Sequence, residues 1–208
     1  MTNIIIFSIG LLSQILFAAR SFVQIFYTEK QKKVANPLLF WELSILAAIL
    51  MIAYGILRQD IIILAGQVLN YGVYVRNISL KKQWRNSLFK QVSYIVPWLI
   101  ISWLFLTKSP YSWSAMMQVQ ASMTAVMTLG WIGQIIFSSR FFYQWAYSEK
   151  KKESFFPLGF WIISIIGGVL LSIYAIIRRD PILLAGQVLG VGIYLRNIYY
   201  NQKSLKEA

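Results

Sequence analysis

The chain matches itself at a constant offset of 120 residues. Gly10 to Ile78 aligns with Gly130 to Ile198 without a gap, and roughly half the positions are identical. The first copy reads G-L-L-S-Q-I-L-F-A-A-R-S-F-V-Q-I-F-Y-T-E-K and the second G-W-I-G-Q-I-I-F-S-S-R-F-F-Y-Q-W-A-Y-S-E-K. Further on, R-Q-D-I-I-I-L-A-G-Q-V-L-N-Y-G-V-Y-V-R-N-I faces R-R-D-P-I-L-L-A-G-Q-V-L-G-V-G-I-Y-L-R-N-I. Whatever unit the first copy forms, the second must form as well.

The unit is made of membrane spans. Each copy holds three apolar runs close to the length a bilayer demands of a helix. In the first copy they cover Thr2–Tyr27, Pro37–Leu57 and Asp60–Ile78, and in the second Ser122–Tyr147, Pro157–Ile177 and Pro181–Tyr199. Only 13% of residues are charged, about half the share of a soluble domain, and mean hydropathy is +0.59. Backbone polar groups in lipid must be paired within their own segment, and the runs lack the alternation of a barrel strand, so the spans are expected to be helices. Pro37, Pro157 and Pro181 suit first-turn positions, where a missing N–H costs nothing.

Between the copies, Val92–Leu106 extended by Phe89–Gln91 is long enough to cross once more. Three spans per copy plus one linker predict an all-α integral membrane protein of seven transmembrane helices, with the two three-helix repeats parallel. The expected divisions are a first repeat over 1–80, a linker helix with flanking loops over 81–120, a second repeat over 121–200 and a tail over 201–208. The cations then fall to one side: Lys30, Lys32, Lys33, Arg76, Lys81, Lys82, Arg85, Lys90, Lys150, Lys151, Lys152, Arg196, Lys203 and Lys206. Opposite them stand Arg58, Lys108, Arg178 and Arg179. The positive-inside rule puts the C-terminus in the cytoplasm and the N-terminus outside. The net charge of +13 thus serves topology and anionic headgroups, and no nucleic-acid partner is expected. The apolar N-terminus lacks a basic n-region and a cleavage site, so it is read as the start of the first helix.

Polar residues inside the spans are the candidates for function. Gly10, Gln14, Phe17, Arg20, Gln24 and Tyr27 share one broad face of the first helix at 100° per residue, and Gly130, Gln134, Phe137, Arg140, Gln144 and Tyr147 repeat it. Arg20 and Arg140 sit on the order of 10 Å inside the cytoplasmic end. Two readings stand: each arginine snorkels or pairs with Glu29 or Glu149, or it holds an anion, for which a phosphate fits the planar guanidinium best. The third helices carry a second polar stripe, Asp60, Gln67, Asn70, Tyr74 and Asn77, matched by Asp180, Gln187, Tyr194 and Asn197, with Gly190 in place of the asparagine. Gln67 and Gln187, each in an Ala-Gly-Gln triplet, read first as helix-packing hydrogen bonders, and they are also placed to line a cavity. Asp60 and Asp180 read as helix caps, Arg76 and Arg196 as partners of headgroups or of Glu29 and Glu149, and the aromatic pairs after Pro37 and Pro157 as interface anchors. Glu42 has no acidic counterpart, since Ile162 takes its place.

The pattern G-x-x-x-Q-x-x-F-x-x-R-x-x-x-Q-x-x-x-[ST]-E, then P-x-x-F-W-x-x-S, D-x-x-x-L-A-G-Q and Y-x-R-N resembles the lipid A biosynthesis N-terminal domain, in two tandem copies. That domain is found ahead of some lipid-A-disaccharide synthases and in small stand-alone membrane proteins. The three-one-three plan looks more loosely like the PQ-loop and SWEET sugar-transporter architecture. The resemblance implies a role near lipid A or a lipid-linked glycan, in a bacterial inner membrane. It does not imply the synthase reaction, because the soluble glycosyltransferase domain does not follow.

The chain contains no His and no Cys, and it shows no phosphate loop or intramembrane carboxylate pair, so no enzyme, metal site or cofactor is expected. The leading expectation is a transporter or flippase of a phosphate-bearing lipid: a polyprenyl-phosphate carrier, a lipid-linked sugar or a lipid A precursor. A non-catalytic membrane subunit that anchors or regulates a cytoplasmic glycosyltransferase is the alternative. A SWEET-like uniporter of small sugars is the third, for which the paired arginines are a poor fit, since a neutral sugar does not require them.

Overall fold

A computed structural model describes residues 2–31, 34–35, 37–81, 86–108, 110–121, 124–154 and 156–206. Lys32, Lys33, Lys82 and Arg85, used above for orientation, and Ser122, the expected start of the second repeat's first span, lie outside the described residues. The described residues form eight helices: α1 (Thr2–Gln31), α2 (Leu38–Leu57), α3 (Ile61–Leu80), α4 (Ser87–Leu106), α5 (Trp113–Ala121), α6 (Thr124–Lys151), α7 (Leu158–Ile177) and α8 (Pro181–Lys206). Seven of them, all but α5, are long and apolar enough to cross a membrane. Large apolar side chains that a soluble protein would bury face outward, among them Ile4, Trp98, Leu106 and Ile176. This is a multi-helix membrane protein.

Several helix ends differ from expectation. α1 and α6 run one turn past Tyr27 and Tyr147, and α8 continues through Tyr199 into the expected tail. Charged and polar residues extend a helix once its apolar part has been nucleated, so hydropathy alone marks these ends too early. Pro181 opens α8, whereas Pro37 and Pro157 stand one residue outside their helices as N-caps with extended backbone. The short α5 falls where a flanking loop was expected. Its Trp113 stacks on Phe105 at 5.3 Å and its Met116 is fully buried, but nine residues carry too few turns for a helical period to be read.

The turn from α2 to α3 is repeated in detail from α7 to α8. Asp60 N–H reaches back to Gly55 O at 2.8 Å and Gln59 N–H to Ile56 O, with Gln59 left-handed at φ 51°. Asp180, Ala175, Arg179 and Ile176 do the same, with Arg179 at φ 50°. This is a Schellman ending, whose left-handed position usually falls to glycine. Both aspartates then cap the next helix, Asp60 accepting from Ile62 and Ile63 N–H and Asp180 from Leu183 N–H.

Within each half the helices pack in sequence, α1 on α2 on α3 and α6 on α7 on α8. Between halves, α1 packs on α8 and α3 on α6. Six helices therefore close a ring, and α4 stands outside it against α3. Contacts across the ring recur with partners shifted by 120. A Cβ on Gly10 would meet the Tyr54 ring at 2.6 Å and Ile182; one on Gly130 would meet Tyr174 at 2.7 Å and Ile62.

Candidate functional site

Two adjoining lobes of one cavity lie inside the ring and share Gln14, Phe17, Arg20, Arg140, Gly186 and Tyr194 as walls. The first lobe, about 560 Å³ including its open mouth, also touches Gln24, Phe40 and Trp161. The second is bordered further by Gln67, Asn70, Tyr74, Gln134 and Gln187. Sequence placed the polar faces of the first and third helices inward, and twelve of those side chains border the cavity: Gln14, Phe17, Arg20, Gln24, Gln134, Phe137 and Arg140 from the first helices and Gln67, Asn70, Tyr74, Gln187 and Tyr194 from the third.

The arginines come from equivalent positions on α1 and α6. Arg20 Nη1 donates to Ser44 Oγ at 2.8 Å, and Arg140 Nη1 donates to Tyr194 Oη at 2.9 Å. Neither pairs with Glu29 or Glu149. Those glutamates are taken by the other pair of arginines: Arg76 Nε meets Glu149 Oε1 at 2.5 Å, and Arg196 pairs with Glu29. Arg140 is 3% exposed, and Arg20 and Arg140 enter no ion pair among the described residues.

Aromatic rings hold the guanidinium groups instead. Arg20 Cζ lies 4.4 Å from the Phe17 ring centroid, 5.0 Å from Phe40 and 5.7 Å from Tyr74. Arg140 Cζ lies 3.3 Å from Phe137, 4.7 Å from Phe141, 5.5 Å from Tyr194 and 5.6 Å from Phe160. Desolvated cation–π contacts are worth about 2 kcal/mol or more, against about 2.5–3.5 kcal/mol for placing an arginine at a helix centre. The rings and the hydroxyls thus offset much of that cost. They leave the charge unneutralised, and Arg20 Nε and Arg140 Nε have no hydrogen-bond partner.

Backbone proximity places the glutamines. Gly66 on α3 sits under the Gln134 amide of α6, and Gly186 on α8 sits under the Gln14 amide of α1; a Cβ at either glycine would overlap the amide. The Ala-Gly-Gln triplets therefore do permit close approach, but the interhelical partner is the glutamine of the first helix. Gln67 and Gln187 are not the hydrogen-bonding glue expected of them, since their Oε1 atoms have no partner and face the second lobe, as does Asn70 Oδ1.

Three predicted site residues lie elsewhere. Asn77 and Gln144 form a reciprocal amide pair between α3 and α6, at 3.1 and 2.9 Å, joined by Ser154. Asn197 donates to Ile193 O within its own helix, and its Oδ1 is unpartnered. None of the three is among the cavity walls. Tyr27 and Tyr147, assigned to the inward face, are exposed, and Thr28 and Ser148 are buried in their stead. Over seventeen residues the helix turns Tyr27 about 100° away from Gly10, while Thr28 returns to its azimuth. Glu42 is buried on α2.

Sequence reasoning missed a clasp at the end of the ring where α3 and α8 begin. Tyr174 Oη donates to Asp60 Oδ2 at 2.9 Å, and Arg178 Nε lies 3.6 Å from the same oxygen. Tyr54 Oη donates to Asp180 at 2.9 Å, with Arg58 Nε at 3.9 Å. The aspartates were read as caps, which they are, and each also joins the two halves. The signal was available: tyrosine, arginine and aspartate recur together at 54, 58 and 60 and at 174, 178 and 180.

Comparison with known proteins agrees with the repeat. The profile of the lipid A biosynthesis N-terminal domain matches residues 9–79 and again 129–199. The chain is 30% identical over 215 residues to a lipid-A-disaccharide synthase of Chlamydia felis, covering 98% of this chain and 34% of that protein. A lipid-A-disaccharide synthase of Chlamydia pneumoniae is 29% identical, covering 96% of this chain and 34% of its own. The chain thus spans about a third of the length of the curated relatives it matches. No solved structure matches it. With both halves matched, the chain belongs to the lipid A biosynthesis N-terminal domain family, of which it carries two tandem copies.

Proposed function

We propose that this protein is a non-enzymatic transporter or flippase of a phosphate-bearing lipid in envelope glycolipid synthesis, such as a polyprenyl phosphate, a lipid-linked sugar or a lipid A precursor. The observation that carries the reading is the pair of arginines, one from each repeat, lining a single cavity with no acid paired to them among the described residues. A guanidinium offers a planar fork that matches phosphate, and two facing one space concentrate positive charge there. The unpartnered amide oxygens of Gln67, Gln187 and Asn70 in the second lobe can accept from ligand hydroxyl groups. Repeats that frame a central site can rock against each other to open it to either side. In this reading the repeats are parallel, and the protein sits in a bacterial inner membrane with its N-terminus outside and its C-terminus in the cytoplasm.

The test is movement of a labelled polyprenyl phosphate between leaflets of proteoliposomes. Protein-dependent exchange that Arg20→Gln and Arg140→Gln each abolish supports the reading. A folded wild-type protein that moves no phosphate-bearing lipid overturns it.

One observation favours a second reading. The chain aligns along nearly its whole length with about a third of lipid-A-disaccharide synthases. A protein of this kind can serve a cytoplasmic glycosyltransferase as a non-catalytic membrane subunit, handing it a lipid substrate. Co-purification with such an enzyme from the native membrane tests this, and failure to recover one under mild solubilisation counts against it.

A further inference from the structure

The two seams that join the repeats are equivalent by sequence offset but not by filling. At the α3–α6 seam, Phe141 is buried and its ring meets Tyr74 at 5.0 Å. Its counterpart on α1 is Ser21, whose hydroxyl turns back to Phe17 O. Asn70 is buried on α3, and its counterpart on α8 is Gly190. The exchange of phenylalanine for Ser21 removes volume from the α1–α8 seam, whereas at Gly190 the Tyr194 hydroxyl fills the space a Cβ would need, 2.8 Å from it. The polar latch is missing there as well: Asn77 and Gln144 bond reciprocally across α3–α6, whereas Asn197 bonds within α8 and Gln24 donates to Ala35 O.

The first lobe of the cavity opens at this unfilled seam. Ser21, Leu189, Gly190 and Ile193 border it, and Leu189 is 58% exposed on the outer surface of the ring. Inside the mouth, three buried nitrogen donors have no partner: Arg20 Nε, Arg140 Nε and Trp161 Nε1. Trp161 and Arg140 are 2% and 3% exposed. Donors alone, with no acceptor to satisfy them, ask for an anion. An apolar slot leading outward from an anion site has the shape of a lipid phosphate with its chain passing between helices.

We infer that the α1–α8 seam is a lateral subsite for the hydrocarbon chain of the ligand, with the phosphate held inside the mouth by Arg20, Arg140 and Trp161. This rests on the proposed phosphate-lipid function and narrows it. The ligand is a lipid phosphate entering from the side, not a free phosphate or sugar phosphate, and one seam admits it while the other stays closed.

The experiment fills the slot with the residue that closes the other seam. Ser21→Phe and the wild-type chain are placed in nanodiscs and titrated with a polyprenyl phosphate and, separately, with inorganic phosphate. Overpacking the slot is expected to weaken the polyprenyl phosphate about tenfold, with a far smaller change for inorganic phosphate. As a second measurement that does not need this variant to fold, a photoreactive benzoylphenylalanine replaces Leu189 or its counterpart Leu69. Position 189 should capture a dilute labelled polyprenyl phosphate several-fold more than position 69. Equal capture at the two positions, or Ser21→Phe binding like wild type, overturns the subsite. If the lipid still requires Arg20 and Arg140 in that case, only the seam falls. If the wild-type chain binds neither probe, the proposed transport falls with it.

Discussion

Tyr174 on α7 donates its hydroxyl to Asp60 at the start of α3, and Tyr54 on α2 donates to Asp180 at the start of α8. Each bond crosses from one repeat to the other, and each aspartate is simultaneously a helix cap. The same end of the ring is therefore tied twice by the same three-residue set. At the opposite end of α3 and α8, Arg76–Glu149 and Arg196–Glu29 tie the repeats again. The cavity lies between these two sets of ties, which any rocking of the repeats would break in turn.

Removing the hydroxyl at either clasp should weaken the join. Tyr54→Phe and Tyr174→Phe each remove a hydrogen bond to a buried carboxylate, a loss of about 1.5–3 kcal/mol. The two variants should lower the thermal midpoint of the purified protein by similar amounts, because the sites are equivalent. A wild-type midpoint in both would mean that the clasp does not hold the halves together.

Two glycines should behave in opposite ways. A Cβ at Gly167 would lie 2.6 Å from the Phe137 backbone, which cannot turn aside, so Gly167→Ala should cost about 1–3 kcal/mol. Gly72 has nothing within 4 Å, and Gly72→Ala should stabilise α3 by about 0.5–1 kcal/mol. Denaturation of both variants checks the packing of α6 on α7, and a harmless alanine at Gly167 would refute it.

Much of this was legible in the sequence because polar residues in apolar helices carry strong information. The repeat told that Arg20 and Arg140, or Gln14 and Gln134, must occupy equivalent places, and cost told that they face inward. What periodicity could not give was which helix each would meet. Asn77 shares a stripe with Gln67 and Tyr74, yet it pairs with Gln144 away from the cavity, because helix crossing carries that end of the stripe into the α3–α6 seam. The far walls of the aromatic cages escaped notice for the same reason: Phe40 and Phe160 belong to a different helix from the arginines they cover, whereas Phe17 and Phe137 lie on the arginines' own helices. Ser21 and Gly190 look like ordinary divergence between copies until the seams are compared.

The proposed orientation rests on the cations alone and is open to a direct check. The chain has no native cysteine, so single substitutions are clean reporters. Lys108→Cys should react with an impermeant thiol reagent in whole cells, and Lys151→Cys should react only after permeabilisation. External labelling at position 151 would overturn the parallel arrangement of the repeats.

The measurement closest to the central claim is binding of a polyprenyl phosphate by Arg→Lys and Arg→Gln variants at positions 20 and 140, with folded yield recorded alongside. Lysine keeps the charge and loses the fork, so each Arg→Lys variant should fold and bind more weakly than wild type. Arg→Gln removes the charge from a charged hydrogen bond worth about 1.5–3 kcal/mol, which corresponds to about a tenfold to hundredfold loss of affinity. If the Gln variants fold and bind the lipid as wild type does, the arginines are not the phosphate site, and the account is contradicted.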